Sequence, residues 1–193
     1  MVRKTYVHAE RAKSVKSGVK ARIIVYLILA MLLILVVTLA FLNRTDSELM
    51  RALEENREFN IRSDGTHIQT VDLQGLLDLG PQEFSASFAT SIAAPRTAKL
   101  CGVELRIILT ALEIDVTEAD YFVVTGMDGY YSPLSREEVE NIETIYICYS
   151  MDDEILKGRS EGGYGPFMMV VRGSRYAQRW CKYVESVDVI TRK

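Results

Sequence analysis

The longest apolar segment of the chain constrains how all the other residues can fold. Residues 23–42 read IIVYLILAMLLILVVTLAFL and contain no charged residue, glycine or proline. As a helix that rises about 1.5 Å per residue, this segment would extend about 30 Å, which is the thickness of the hydrocarbon core of a bilayer. A helix that is apolar on every face is typical of a membrane span. We therefore predict a single transmembrane helix over residues 23–42.

Charge is distributed unevenly on the two sides of this segment. Residues 1–22 hold seven basic residues and one acidic residue, whereas residues 23–193 hold 16 basic and 25 acidic residues. Basic residues beside a span stay in the cytoplasm, so we predict a cytoplasmic tail over residues 1–22 and an extracytoplasmic C-terminal domain. A cleaved signal peptide is the competing interpretation, but its apolar region should be only about 7–15 residues long. The lipid bilayer is the expected partner, and the acidic domain argues against nucleic acid.

The C-terminal part is long enough for one domain with a hydrophobic core. A helical stalk is predicted over residues 43–59, and a domain of short strands and helices over residues 60–193. Asp64-Gly65 indicates a hairpin turn, and Ser135 with Glu138 forms a capping box. Periodicity predicts helices at 70–79 and 102–112, a loop at 91–97, and strands at 83–90, 121–125, 130–132, 144–149, 167–171 and 182–190. This mixture predicts an α+β fold with largely antiparallel sheets.

The cysteines and histidines of the domain are few and widely spaced. Cys101, Cys148 and Cys181 form an odd number with irregular spacing, and no Cys-x-x-Cys or histidine-containing metal motif occurs. One disulfide with one free thiol, or three buried free thiols, both agree with this pattern. His67 follows a turn signal, so we predict a solvated turn residue and not a catalytic base.

Five short segments of the domain follow one another in a recognisable order. They are CGVEL (101–105), DGY (128–130), YSMDDEIL (149–156), GPFMMVV (165–171) and RWCKYVESVDV (179–189). This order resembles the sulfite-oxidase-like, molybdopterin-binding oxidoreductase domain. The segments of that family are Gly-Val-Pro-Leu, Ala-Asp-Gly-Tyr, Ala-Tyr-x-x-Asn-Gly-x-x-Leu, Gly-x-Pro-Leu-Arg-Leu-Val-Val-Pro and Lys-Trp-Val-Lys…Ile-x-Val. The resemblance covers about residues 68–190 and implies the fold of that domain.

One residue that the resemblance requires for catalysis is missing. In active members of the family, a cysteine thiolate at the end of a strand before Gly-Val-Pro-Leu ligates molybdenum. The corresponding stretch here, FSASFATSIAAPRTAK (84–99), holds serine and threonine but no cysteine. A hydroxyl is a poor substitute for a soft sulfur ligand, and we do not assign the ligand role to Cys101, which adjoins the next segment. We therefore predict no catalytic residue, no metal ligand and no cofactor, with molybdopterin as the alternative.

A cluster of basic residues lies near the end of the domain, in the stretch VVRGSRYAQRWCK. Its members are Arg172, Arg175, Arg179 and Lys182. The family holds an anionic cofactor phosphate with basic groups in its C-terminal half, so the resemblance implies an anion or cofactor site at these four residues. The Gly173-Ser174 turn can add backbone N–H donors. A solvated basic loop is the competing interpretation.

These inferences predict a membrane-anchored extracytoplasmic domain of molybdopterin-oxidoreductase type that is catalytically degenerate and acts in ligand binding or protein interaction. The first alternative is an active molybdenum-dependent oxidoreductase of the sulfite-oxidase-like family. The second is a structural subunit of a membrane complex. Besides the bilayer, a membrane protein or a small anionic ligand is the expected partner, and a bacterial envelope suits this design.

Overall fold

The structure is a computed structural model, and it describes four parts of the 193-residue chain: residues 26–39, 55–88, 96–174 and 177–191. The chain divides into two compact units, Met1–Leu49 and Met50–Lys193, which are described separately.

The first unit contains one described helix, α1, over residues 26–39. This helix lies inside the predicted span, and all of its residues are exposed. The predicted tail and the two ends of the predicted span, at 23–25 and 40–42, lie outside the described residues. A search of the described residues finds no helix with both the length and the apolar character needed to cross a membrane.

The second unit contains two five-stranded sheets with short helices between the strands. Its strands are β1 (Glu58–Ser63), β2 (Thr66–Asp72), β3 (Gln82–Phe88), β4 (Arg96–Glu104), β5 (Tyr121–Gly126), β6 (Tyr131–Ser135), β7 (Ile145–Met151), β8 (Glu154–Ile155), β9 (Met168–Val171) and β10 (Val184–Ile190). Its helices are α2 (Leu73–Asp78), α3 (Leu105–Ala111) and α4 (Arg136–Glu140). The predicted α+β class is confirmed.

The two sheets are largely antiparallel, as predicted. The first sheet has the order β2-β1-β10-β5-β6, in which only β1 and β10 run parallel. The second sheet has the order β3-β4-β7-β8, and β9 also pairs with β7. Apolar side chains from both sheets, including Phe59, Phe122, Leu100 and Ile147, are buried in one core.

Two short helices begin at capping side chains, and the second of these motifs is the capping box that the sequence predicted. Asp72 precedes α2, and its carboxylate accepts a hydrogen bond of 2.7 Å from the Gly75 N–H. Ser135 and Glu138 form both hydrogen bonds of a capping box at the start of α4. Each motif satisfies backbone N–H groups that have no partner within the helix.

The helix predicted over residues 102–112 begins three residues later than expected, because residues 96–104 form strand β4. Gly102 lies opposite Cys148 of β7 in the sheet. A Cβ atom at Gly102 would lie only 2.4 Å from the Ile147 carbonyl oxygen. Gly102 therefore permits close strand packing and does not open a helix. Arg96 and Thr97, which the sequence assigns to a loop over 91–97, belong instead to strand β4, and residues 91–95 lie outside the described part.

Strand β1 starts two residues before residue 60, where the sequence places the beginning of the domain. Strand β1 begins at Glu58, and Phe59 is fully buried. The Phe59 ring packs edge-on against Phe167, with 5.2 Å between ring centroids. Helical periodicity cannot distinguish an apolar residue of a stalk from the first core residue of a strand. Residues 43–54 of the predicted stalk lie outside the described residues.

Candidate functional site

The loop end of the β3–β4 hairpin, where β3 ends, is the place where the family resemblance locates a metal ligand. The two strands pair along their whole length, from Gln82 opposite Gly102 to Phe88 opposite Arg96. Near this loop end, the hydroxyl oxygens of Ser87 and Thr97 lie 2.7 Å apart. The connecting residues 89–95 lie outside the described part, and their sequence, ATSIAAP, contains no cysteine. This end of the hairpin therefore offers hydroxyl oxygens.

All three cysteines of the chain are free thiols, which agrees with one of the two predicted alternatives. Cys148 is fully buried, and burial raises the pKa of its thiol well above the usual value. Burial likewise raises the pKa of Cys181 to about 12. A thiol ligates a metal as its thiolate, so a raised pKa opposes this role.

Cys101 is half-buried on β4, and its sulfur lies 3.2 Å from the Tyr149 hydroxyl. Burial, followed by this hydrogen bond, raises the pKa of Tyr149 to about 12. The described residues also contain no group of three or more histidine, cysteine or acidic side chains that could hold a metal ion. The donor set therefore does not fit a molybdenum–thiolate centre at the end of β3.

A cleft of about 370 Å³ lies beside the first residue of β4. It is lined by Arg96, Met151, Asp152, Glu154, Ile155, Leu156, Lys157, Gly163 and Tyr164. The Arg96 guanidinium lies 3.1 Å from the Met151 sulfur and 3.6 Å from the Asp152 carboxylate. The lining of the cleft therefore combines apolar and charged residues, a combination that is common in ligand sites.

The described side chains of the predicted basic cluster do not face one common site. The Arg172 guanidinium pairs with Glu143 at 2.5 Å and lies 5.6 Å from the centroid of the Phe84 ring. The Lys182 ammonium instead lies 4.2 Å from the centroid of the Tyr164 ring. Arg175 lies outside the described residues.

Arg179, the remaining member of the cluster, is held by a carboxylate. Its guanidinium forms two hydrogen bonds with Glu138, of 2.5 and 3.0 Å. These hydrogen bonds hold the pKa of Glu138 below its usual value. Since Arg172 and Arg179 each face a different carboxylate, their charges are largely neutralised, and the anion site stays a prediction.

His67 is exposed on β2, close to the turn, as predicted for a solvated residue. Its Nε2 lies 3.0 Å from the Thr70 hydroxyl, which donates a hydrogen bond to Asn60. The histidine therefore takes part in a surface hydrogen-bond chain and has no cysteine or carboxylate partner among the described residues.

Three residues that the sequence analysis did not select lie near the cleft: Lys157, Arg159 and Tyr183. Lys157 lines the cleft, and the Arg159 guanidinium lies 5.9 Å from the centroid of the Tyr183 ring. The pair Lys157-Gly-Arg159 was visible in the sequence as two nearby charges. Its tyrosine partner was not, because Tyr183 lies in a distant part of the chain.

Comparison with known protein families shows to which family this chain belongs. The sequence model of the family described as "Oxidoreductase molybdopterin binding domain" matches residues 48–193. The chain belongs to this family. The match covers all the strands of the second unit, which is therefore a molybdopterin-binding oxidoreductase-type domain.

A solved member of this architecture has the same fold. The sulfane dehydrogenase SoxCD from Paracoccus pantotrophus aligns with a TM-score of 0.56 and 16% sequence identity, over 70% of this chain. The aligned part is only 38% of the SoxCD chain, so this chain spans less than half the length of that protein. A comparison with curated protein sequences finds no match.

Two further segments of this molybdopterin-binding-family chain depart from the family pattern. Counted from Pro166, Met168 stands where the family segment has arginine, and Met168 is buried. Asp152 and Asp153 stand where the family has Asn-Gly, in the β7–β8 turn. Both have positive φ angles, 53° and 66°, which Asn-Gly adopts more readily than Asp-Asp. The fold is therefore retained although these residues differ, and one of them, Asp152, lines the cleft.

Proposed function

We propose that this chain is a membrane-anchored, extracytoplasmic member of the family that binds a ligand or a protein partner and does not oxidise a substrate. The observation that supports this proposal is the position of the three thiols. Cys148 and Cys181 are buried, and Cys101 forms a hydrogen bond with Tyr149. Residues 84–99 contain no cysteine. A family member without an available thiolate lacks the soft ligand that molybdenum prefers.

Anchoring is supported by the sequence of the first 42 residues. The apolar segment is 20 residues long, and the basic residues precede it. On this basis the chain crosses the cell membrane of a bacterial envelope once, with its N-terminus in the cytoplasm. The bilayer is then its first partner, and a membrane protein or a small anionic ligand is the second.

The competing function is an active molybdenum-dependent oxidoreductase, which family membership favours. Such an enzyme would need a ligand other than a thiolate, or a rearrangement that brings Cys101 to the cofactor. The metal content of the full chain, purified from membranes of cells that make molybdopterin, separates the two functions. We expect far less than one molybdenum atom per chain and no pterin fluorescence.

Stoichiometric molybdenum with pterin in the same preparation would contradict the binding proposal. Cys101→Ser provides the matched variant: if it loses the metal, Cys101 is a ligand, and if it keeps the metal, Cys101 is not the ligand. Both results would favour the oxidoreductase.

The third candidate is a structural subunit of a membrane complex. Native gel electrophoresis of mild detergent extracts tests it. One stable assembly of constant composition supports the structural role, whereas migration of the chain by itself supports a ligand-binding role.

A further inference from the structure

The cations of the second unit fall into two groups by their partners. Most basic side chains in the described parts contact a carboxylate or a carbonyl oxygen: Arg57, Arg62, Arg96, Lys99, Arg106, Arg136, Arg172 and Arg179. Lys157, Arg159 and Lys182 form no ion pair or side-chain hydrogen bond within the described residues. Their charged donors are therefore available to a ligand.

These three cations lie in one corner of the domain, next to two half-buried tyrosines. The Lys182 ammonium lies over the Tyr164 ring, and the Arg159 guanidinium lies over the Tyr183 ring. The Tyr183 N–H donates to the Tyr164 carbonyl at 3.0 Å, which brings the backbones of the two tyrosines together. We call Lys157, Arg159, Tyr164, Lys182 and Tyr183 the basic–aromatic corner.

The corner is continuous with the cleft beside β4. Lys157 and Tyr164 both line that cleft, and the Lys157 carbonyl accepts a hydrogen bond of 2.8 Å from the Gly165 N–H. The Asp152 carboxylate, which also lines the cleft, lies 3.6 Å from the Arg96 guanidinium.

The backbone of the corner is held in an uncommon conformation. Tyr183 has a φ of 54°, in the left-handed region, which is a genuine outlier for a bulky residue. Hydrogen bonds from the Met127 N–H to its carbonyl and from its own N–H to Tyr164 hold it there. Strained residues of this kind cluster at ligand sites. Here the strain places a tyrosine ring beneath Arg159.

We propose that the basic–aromatic corner binds a phosphate group, carried by a small soluble ligand or by a phospholipid headgroup. A phosphate has several acceptor oxygens, and Lys and Arg donate charge-assisted hydrogen bonds to it. The tyrosine rings restrict the two cations lying over them, so less side-chain freedom is lost on binding. This assignment names the ligand class of the binding role proposed above and rests on that role.

The single tryptophan of the chain makes the first test direct. Trp180 is buried in the second unit, and its indole N–H donates to the Val171 carbonyl, so its fluorescence reports unfolding of this unit. The full chain in a neutral detergent is titrated with pyrophosphate and inorganic phosphate at constant ionic strength, with chloride as the reference. We expect saturable increases in the melting temperature of the wild type.

The variant Lys157→Gln/Lys182→Gln removes two cations of the corner and should bind at least about tenfold more weakly. The control Lys99→Gln/Arg136→Gln changes the net charge equally, but its residues already contact protein oxygens. It should bind like the wild type. Arg159→Lys keeps the charge but loses the planar guanidinium, and we expect an intermediate affinity.

A change of lipid composition distinguishes the two possible sources of phosphate. The full chain in nanodiscs of neutral phosphatidylcholine is compared with the full chain in nanodiscs that contain phosphatidylglycerol. If the headgroup is the ligand, the anionic lipid raises the melting temperature of wild type and control, but not of the corner variant, and added pyrophosphate has no further effect. If a soluble ligand is recognised, pyrophosphate acts equally in both lipids.

The proposal is wrong if neither phosphate compounds nor anionic lipid stabilise the wild type, or if corner variant and control respond alike. Its failure is distinct from failure of the proposed function, because molybdenum content is measured independently of these titrations. If the chain contains no molybdenum and does not respond to phosphate, the proposed non-oxidising role still stands. Only phosphate is then excluded as the ligand.

Discussion

At the scale of single residues, the structure shows how a cation can be prevented from binding an external anion. Arg179 and Arg172 look alike in the sequence, as members of one basic stretch. In the fold, Arg179 forms two hydrogen bonds with Glu138, and Arg172 pairs with Glu143. An anion that approached these arginines would compete with a carboxylate. Lys182, which has no such partner among the described residues, remains the best candidate of the predicted cluster.

The Glu138–Arg179 pair makes a testable contribution to acid stability. Hydrogen bonds from Arg179 lower the pKa of Glu138 from its ordinary 4.5, so the folded state binds this proton less readily than the unfolded state. The contribution is therefore complete above the ordinary carboxyl pKa and is lost as the pH falls through the lower, folded-state value. We expect Glu138→Gln to weaken the dependence of unfolding free energy on pH between about pH 5 and 3.

Urea unfolding of the full chain in detergent, followed by Trp180 fluorescence at several pH values, measures this dependence. Arg179→Ala is the matched variant, because it removes the other member of the pair. The double variant should show the same pH dependence as either single variant. Additive effects of the two substitutions would mean that Glu138 and Arg179 are not coupled.

At the scale of secondary-structure elements, the structure differs from the sequence-based prediction mainly at strand β4. The helix α3 was recognised because Leu105, Ile108 and Leu109 recur with a helical period. Strand β4 was not, because its second half is buried on both faces and so lacks a clear alternation. The capping box of α4 was predicted correctly because its two residues are only three apart.

Gly102 tests the packing of β4 against β7. Because an added Cβ would lie 2.4 Å from the Ile147 carbonyl oxygen, Gly102→Ala must separate the two strands at their irregular register. We expect the free energy of unfolding to fall by about 2–3 kcal/mol, measured by urea titration with Trp180 fluorescence.

Gly75→Ala in α2 is the control for Gly102→Ala. Its added Cβ would meet only side-chain atoms, at 3.1 Å or more, and alanine favours a helix over glycine. This variant should change the stability by less than about 1 kcal/mol. Equal losses at the two positions would contradict the assigned role of Gly102 in the β4–β7 contact.

At the scale of the whole molecule, orientation across a membrane is the property on which the proposed function depends. The predicted topology places residue 14 in the cytoplasm and residue 161 outside. Cysteines introduced one at a time, as Ser14→Cys and Glu161→Cys in a Cys101→Ser background, report their side by reaction with a membrane-impermeant maleimide. The remaining thiols, Cys148 and Cys181, are buried and should stay unlabelled in the folded chain.

We expect labelling of Glu161→Cys in intact cells or spheroplasts, and labelling of Ser14→Cys only after the membrane is opened. Labelling of both positions from outside would mean that the basic residues do not set the orientation. If Glu161→Cys is released in soluble form, the apolar segment is a cleaved signal peptide and the anchoring proposal is wrong.

The sequence by itself determined the properties that depend on neighbouring residues. A capping box, a hairpin turn, most strand positions and the ordered family segments each lie within a few residues of chain, where period and turn chemistry act directly. The family match over residues 48–193 agrees with that interpretation. Likewise, the absence of a cysteine from residues 84–99 is a property of the sequence alone.

Only the tertiary structure decided which charges are neutralised and which remain available. Glu143 is 29 residues from Arg172, Glu138 is 41 residues from Arg179, and Arg159 meets Tyr183 across the fold. Such pairs are formed by sheet register and strand order, which local periodicity does not encode. For this reason Arg172, Arg179 and Lys182, which are close together in the sequence, meet separate partners. The cations that form no ion pair among the described residues come together from distant segments of the chain.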